Sequence, residues 1–215
     1  MALTKVTGDM TSGIADESGL ASVQTFTSSG TWTKPAGVTK VIVEVQGAGG
    51  SGSGHGASST QARAGGAGGY AKKLIDVSGV STSTITVGTG GTGVGGTSAN
   101  VGNAGGASSW NDGTTTVTGN GGSGGSNTSY ALGGAGGTAT GGDVNITGER
   151  GGLHSNHVHY PGGKSVLGFG GWGKTINYHE TSDPPVGYGS GSGGSFNVTS
   201  TEDAADGIVI VWEYA

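Results

Sequence analysis

Val38-Thr39-Lys40-Val41-Ile42-Val43-Glu44-Val45-Gln46 runs directly into Gly47-Ala48-Gly49-Gly50, and the change of character at residue 46 sets the fold problem. Before it, β-branched residues alternate: Val41, Val43 and Val45 share one face of an extended chain, and Ile42, Glu44 and Gln46 share the other. After it there is almost no side chain left to bury. The same contrast returns at the far end of the chain. There Ile208-Val209-Ile210-Val211-Trp212-Glu213-Tyr214 follows Gly207. That segment is apolar on both faces and reads as a central strand. These two segments are expected to lie close together in one sheet, closing the domain.

Weaker strand signals fill the interval. Gln24-Thr25-Phe26-Thr27 and Thr31-Trp32-Thr33 flank a Ser28-Ser29-Gly30 turn, and Lys34-Pro35-Ala36-Gly37 is a second turn. Tyr70 to Val77 and Ser83 to Val87 read as strands around Ser78-Gly79. The best hairpin signal is Ala107-Ser108-Ser109-Trp110, then Asn111-Asp112-Gly113, then Thr114 to Thr118. No segment of ten or more residues has a helical period. In the first 23 residues, Leu3, Val6 and Met10 would suit a short helical stripe, but Gly8 interrupts it. An arm ordered by a neighbour also fits there.

Glycine supplies 52 of the 215 residues and charged residues only 11%. Leu, Ile, Val and Phe together make up 17% of the chain, a level that suggests disorder only when net charge is also high. The net charge is −5, so self-repulsion is small. Four prolines and no sustained Gly-X-Y period exclude collagen. With no cysteine, disulfides and thiolate metal sites are excluded as well. Such a chain needs backbone hydrogen bonds, an oligomer interface, or both.

The glycines gather in blocks with a Gly-Gly-X rhythm: 65–69, 90–93, 121–125 and 133–137. Three residues per turn is the repeat of a polyproline-II-type helix, whose backbone polar groups all point outward. Runs without side chains can pack closely and bond to one another, which satisfies those groups. Tight loops between β-strands are the alternative reading.

At this glycine content phosphate-loop patterns arise by chance. Gly163-Lys164-Ser165 fails as a Walker loop because Val158 stands where the first glycine belongs. The carboxylates are dispersed and suggest no catalytic pair, so the expectation is a protein that is not an enzyme. Nine Lys and Arg without a basic patch argue against nucleic acid as a partner. No run approaches the length of a membrane-spanning helix, and Ala2-Leu3-Thr4-Lys5 opens no secretory signal.

Four of the five histidines, His154, His157, His159 and His179, lie between Leu153 and Gly189. Tyr160, Phe169, Trp172, Tyr178 and Tyr188 lie there too. A long irregular segment rich in aromatics on a rigid scaffold is where binding usually resides. Aromatic faces and imidazoles are also groups that stack on sugars and bond their hydroxyls. The candidate receptor-binding residues are therefore His154, His157, His159, Tyr160, Trp172, Tyr178, His179 and Tyr188. Packing of these aromatics under their own loops is the competing reading. Within the segment, His157 and His159 are alternate residues and can face one side of an extended chain. Around a threefold axis three such pairs would offer six nitrogens to a transition metal such as iron, and surface hydrogen bonding is the alternative.

Phe26-Thr27-Ser28-Ser29-Gly30-Thr31-Trp32-Thr33-Lys34-Pro35-Ala36-Gly37-Val38, continued by Val41 to Gly50, resembles the opening of the glycine-rich domain of bacteriophage tail fibres and adhesins. Gly68-Gly69-Tyr70-Ala71, Ile85 to Gly91 and Gly207 to Tyr214 extend the resemblance over residues 25–215. Ala2 to Thr7 looks like the start of phage structural proteins, where it would attach the fibre. The resemblance implies a virion component that recognises the host cell surface through distal loops. The receptor would be a glycan such as lipopolysaccharide or capsule, or an outer-membrane receptor. Other tail or baseplate proteins would be partners, and a homotrimer would carry the His-x-His metal on its axis. The chain departs from long fibres in having almost no shaft, which leaves a short fibre, a tip protein or a monomeric adhesin open. A structural fibre or decoration protein without receptor binding is the alternative function. The expected fold is all-β: an antiparallel β-sandwich-like domain over 25–215, with glycine-rich loops or short polyglycine-II-type runs. An N-terminal arm or short helix would precede it over 1–24, and binding loops would lie at 153–190.

Overall fold

The computed structural model describes residues 19–55, 62–128, 132–153, 161–173, 183–196 and 200–215. In chain order the strands are β1 (Leu20–Phe26), β2 (Gly30–Thr33), β3 (Lys40–Gln46), β4 (Gly54–His55), β5 (Tyr70–Asp76), β6 (Thr82–Thr86) and β7 (Ser108–Asn111). They continue with β8 (Thr116–Gly119), β9 (Ala139–Thr140), β10 (Val144–Ile146), β11 (Gly168–Phe169), β12 (Val186–Gly187), β13 (Ser195–Phe196) and β14 (Ile208–Tyr214). No α-helix occurs among the described residues. The fold is all-β, as expected.

Two five-stranded antiparallel sheets face each other, with orders β1-β14-β3-β5-β10 and β2-β6-β7-β8-β9. The two β-richest segments are neighbours: β14 pairs with β3 from Ile208↔Gln46 to Tyr214↔Lys40. Gly19 and Ala215 meet through a backbone bond. The alternation read from β3 holds, because Val41, Val43 and Val45 are buried. Against them pack Ala71, Ile75, Val209 and Val211 of the same sheet and Trp32, Ile85, Trp110 and Val117 of the other. Trp32 and Trp110 cross with ring centroids 4.9 Å apart and planes tilted by 52°, an edge-biased contact.

One buried group in this core is a carboxylate. Glu213 is fully buried and accepts hydrogen bonds from Trp32 Nε1 (2.6 Å), Gln24 Nε2 (2.8 Å) and the hydroxyl of Ser22. It ties β1 and β2 to β14, so strands of both sheets share one acceptor.

Two local readings are refined in the structure. Tyr70–Asp76 and Thr82–Thr86 are strands, but β5 lies in one sheet and β6 in the other. Ser78-Gly79 is the turn between them, and it carries the chain from one sheet to the other. β1 and β2 are likewise divided between the sheets. The residue-24 boundary falls inside β1, so residues 20–24 belong to the sheet, while residues 1–18 lie outside the described set. The 107–118 hairpin is present as β7 and β8. Gly113 turns it with φ +89°, and Asp112 Oδ1 accepts from the amides of Thr114 and Thr115.

Below the sandwich the glycine runs form a hydrogen-bonded bundle with a period of three. In run 47–54 the amides of Gly47, Gly50 and Ser53 donate to carbonyls of Gly69, Gly66 and Arg63, each at 2.8 Å. The amides of Ala48, Ser51 and Gly54 donate to Gly106, Asn103 and Asn100 at 2.8–3.0 Å. Gly49 donates to Ala205, and Gly52 to the hydroxyl of Ser192. Carbonyls of the same run receive Gly91, Gly122, Gly125, Ser192 and Ser195. Run 47–54 is therefore surrounded by six others: 62–69, 88–95, 100–107, 119–126, 187–195 and 200–207. This is the lateral packing of three-residue-per-turn helices, with most outward backbone groups of the run bonded to a neighbouring run. The buried side chains of the central run are small ones, Ala48, Ser51 and Ser53, and the glycine positions leave no room even for a Cβ. A Cβ on Gly49 would land on the Ser190 carbonyl, and one on Gly65 on the Gly50 carbonyl.

Candidate functional site

The bundle has two ends. One joins the sheets: Gln46, Tyr70, Ser108 and Gly119 are strand residues that adjoin runs. The other is marked by bridges between run termini, Gly54↔Asn100, Gly54↔Ser195, Arg63↔Leu153 and Gly95↔Ser200. Gly173 and Gly194 also meet at this level. Gly54, Arg63, Gly95, Asn100, Leu153, Gly173, Ser195 and Ser200 therefore stand at the end of the bundle away from the sheets. We call this the distal end.

Trp172 sits on the approach to it. Its amide donates to the Asp183 carbonyl at 3.0 Å, and the amide of the neighbouring Gly171 donates to Gly191. The backbone is thus fixed while the residue stays 49% exposed. Val101, Leu132 and Leu153, at or next to described run termini, are also exposed. Apolar side chains held outward on a bonded backbone cost little to order when a ligand arrives.

Of the residues singled out in the sequence, His154, His157, His159, Tyr160, Tyr178 and His179 lie outside the described residues, and with them the His157/His159 metal pair. Trp172 and Tyr188 are described, and they are not together. The Tyr188 amide donates to Leu167, and the following Gly189 bonds Gly68 and Asp206 beside Gln46, at the sandwich end. Trp172 is level with Gly193, five residues further along that run, or about 15 Å at ~3.1 Å per residue. Among the described residues no group of three His, Cys, Asp or Glu side chains could hold a metal ion.

Several acidic and hydroxyl side chains have a structural use that spacing alone did not reveal. Asp203 Oδ1 accepts the Gly93 amide at 2.6 Å and Asp206 Oδ1 the Gly90 amide at 2.7 Å. Their separation of three residues is one turn of the run. Thr201 and Ser108 hydroxyls accept Val94 and Gly88 amides in the same way. These side chains stand in for carbonyls where no neighbouring run supplies one.

Two further surfaces stand out, the first of them inside the 153–190 stretch. Val166, Phe169 and Val186 are exposed at the corner where β11 pairs β12, with Lys164 Nζ 4.7 Å from the Phe169 ring centre. On the outer face of the first sheet, register aligns Val23, Trp212, Ile42 and Leu74 in one cross-strand row. Glu44 lies beside that row and accepts from Trp212 Nε1 and Lys72 Nζ, both at 3.1 Å. Burial, reinforced by the Glu44 carboxylate, raises the pKa of the Tyr70 phenol well above its ordinary value and keeps it neutral.

Comparison with curated proteins finds no match. A family model, by contrast, spans nearly the whole described fold, from within β1 to the last residue of β14. By that match over residues 22–214, the chain belongs to the glycine-rich domain family.

Proposed function

We propose that the protein is a bacteriophage tail-fibre or adhesin component that recognises the host cell surface with the distal end of its glycine bundle. The receptor in this reading is a surface glycan such as lipopolysaccharide or capsule, bound without chemical change to it. One observation carries the proposal: Trp172 and Leu153 stand exposed on a bonded backbone at the end of the bundle away from the sheets, and the histidine and tyrosine cluster adjoins them in sequence. Rigid support with variable, aromatic-rich connections is the arrangement used wherever loops carry recognition. The sandwich end then faces the rest of the virion, where tail or baseplate proteins are the partners.

The test is binding of the purified chain to a panel of bacterial lipopolysaccharides and capsular polysaccharides and to whole cells. On the surface that binds, combined substitution of His159, Trp172 and Tyr178 by alanine lowers affinity roughly tenfold or more, with unchanged circular dichroism. Unchanged binding by that variant removes the distal end as the site. No binding to any cell or glycan favours a purely structural virion component.

A further inference from the structure

We propose that residues 3–14 of this chain cover the outer face of its own first sheet as an amphipathic helix, with Leu3, Val6, Met10 and Ile14 seated along the row Val23–Trp212–Ile42–Leu74. The two outer faces of the sandwich differ. On the second sheet the cross-strand row is Thr31–Thr84–Asn111–Thr116, all four exposed, which is the polar pattern of a sheet face left to water. On the first sheet the row is apolar from end to end. Val23 is 42% exposed and Leu74 54%, and the exposed Val144 and Ile146 of β10, paired with Lys72 and Tyr70, extend the same face. Apolar surface that continuous marks a contact surface.

The occupant follows from where the chain enters this face and from the residues that precede it. The Gly19 carbonyl accepts the Ala215 amide at 3.3 Å, and Leu20 opens β1 opposite Tyr214. Residues 1–18, outside the described residues, are thus tethered at the corner of the face. Among them Leu3, Val6, Met10 and Ile14 recur at intervals of three and four, one stripe of a helix, and Gly8 falls on the side opposite the stripe. Such a helix is marginal alone and gains its stability from packing that stripe. The dimensions agree. From Leu3 to Ile14 a helix rises about 16 Å at ~1.5 Å per residue. The row crosses three strand-to-strand steps, about 14 Å at ~4.8 Å each. Each apolar residue therefore meets one strand: Ile14 over Val23 beside the tether, then Met10 over Trp212, Val6 over Ile42 and Leu3 over Leu74. Residues 15–19, which reach about 16 Å when extended, suffice to turn the chain back into β1.

Amide hydrogen exchange on the full-length protein tests this. The amides from Thr7 to Ile14 exchange roughly tenfold or more slowly than open-chain rates. Leu74→Asp, a change at an exposed position outside the sandwich core, returns them to open-chain rates while β3 stays protected. Because the chain contains no cysteine, Leu3→Cys combined with Leu74→Cys closes a disulfide within one chain on mild oxidation. Leu3→Cys combined with Thr84→Cys, on the outer face of the second sheet, does not. Open-chain exchange from Thr7 to Ile14 in the parent overturns the proposal, and so does protection that Leu74→Asp leaves intact. A disulfide that links two chains through the Leu3 and Leu74 positions assigns the face to a second copy and overturns it too. None of these results bears on host-surface binding by the distal end, which is read in a separate assay.

Discussion

The sandwich and the glycine bundle solve the same problem with opposite materials. In the sandwich, backbone bonds run within each sheet, and the sheets are held together by side chains, with Trp32, Trp110 and the valines of β3 and β14 filling the space between. In the bundle there are almost no side chains inside, and backbone bonds run laterally in several directions from each run. The difference explains how a chain with so little aliphatic content can fold. Apolar burial is concentrated in one compact core, and the remainder gains order from backbone pairing, at the entropic cost that glycine carries. It also sets opposite sensitivities: the sandwich suffers when atoms are removed, the bundle when they are added.

The largest expected effect comes from emptying the sandwich. Trp110→Ala deletes a fully buried ring that packs on Trp32 and lowers unfolding free energy by about 3–5 kcal/mol in denaturant titration. In the bundle a single methyl group suffices. Gly50→Ala drives a Cβ onto the Ser123 carbonyl and costs about 1–3 kcal/mol or more, because neighbouring runs cannot move aside. Gly79→Ala, where a Cβ meets nothing within 4 Å, stays within about 0.5 kcal/mol of the parent. Equal effects of these two alanines would break the distinction. Glu213→Ala probes the seam between the sheets. It leaves the buried Trp32 N–H without its acceptor and costs about 1–3 kcal/mol, with β1 the first element to lose protection.

The smallest effect is a pH dependence at the sheet edge. The Leu74 amide, then Lys73, hold the exposed Asp143 carboxyl below its ordinary value of 3.8. A carboxyl lowered on folding stabilises the protein above its unfolded pKa, and that contribution is lost as pH falls through the lower folded value. Asp143→Asn is therefore slightly less stable than the parent at neutral pH. The two converge in acid below the folded pKa, as thermal scans across that window will show.

How much of this was legible depends on whether side chains mark the geometry. β3 and β14 were readable because alternating valines name their buried face, and their pairing followed from being the two richest segments. The Asn111-Asp112-Gly113 turn was readable because positive φ demands glycine there. The crossing at Ser78-Gly79 was not, since a turn between sheets and a turn within one use the same residues. For the glycine runs, period three was visible but the neighbours were not: a residue without a side chain carries no mark of which way its amide points. Nothing in the apolar run of β14 marks Glu213 as a buried acceptor, and only Ser22, Gln24 and Trp32, far away in sequence, give it a reason to be buried. At the candidate site, nearness along the chain was an imperfect guide. Trp172 and Tyr188 are sixteen positions apart in one aromatic stretch, yet they lie at different levels of the bundle.

Amide hydrogen exchange resolved along the runs tests the central claim most directly, namely that the glycines build a bonded scaffold rather than loops. Run 47–54 and run 62–69, at the centre of the bundle, should exchange as slowly as Val41 to Val45 in β3. Exchange of those glycine amides at open-chain rates, while β3 stays protected, would contradict the account.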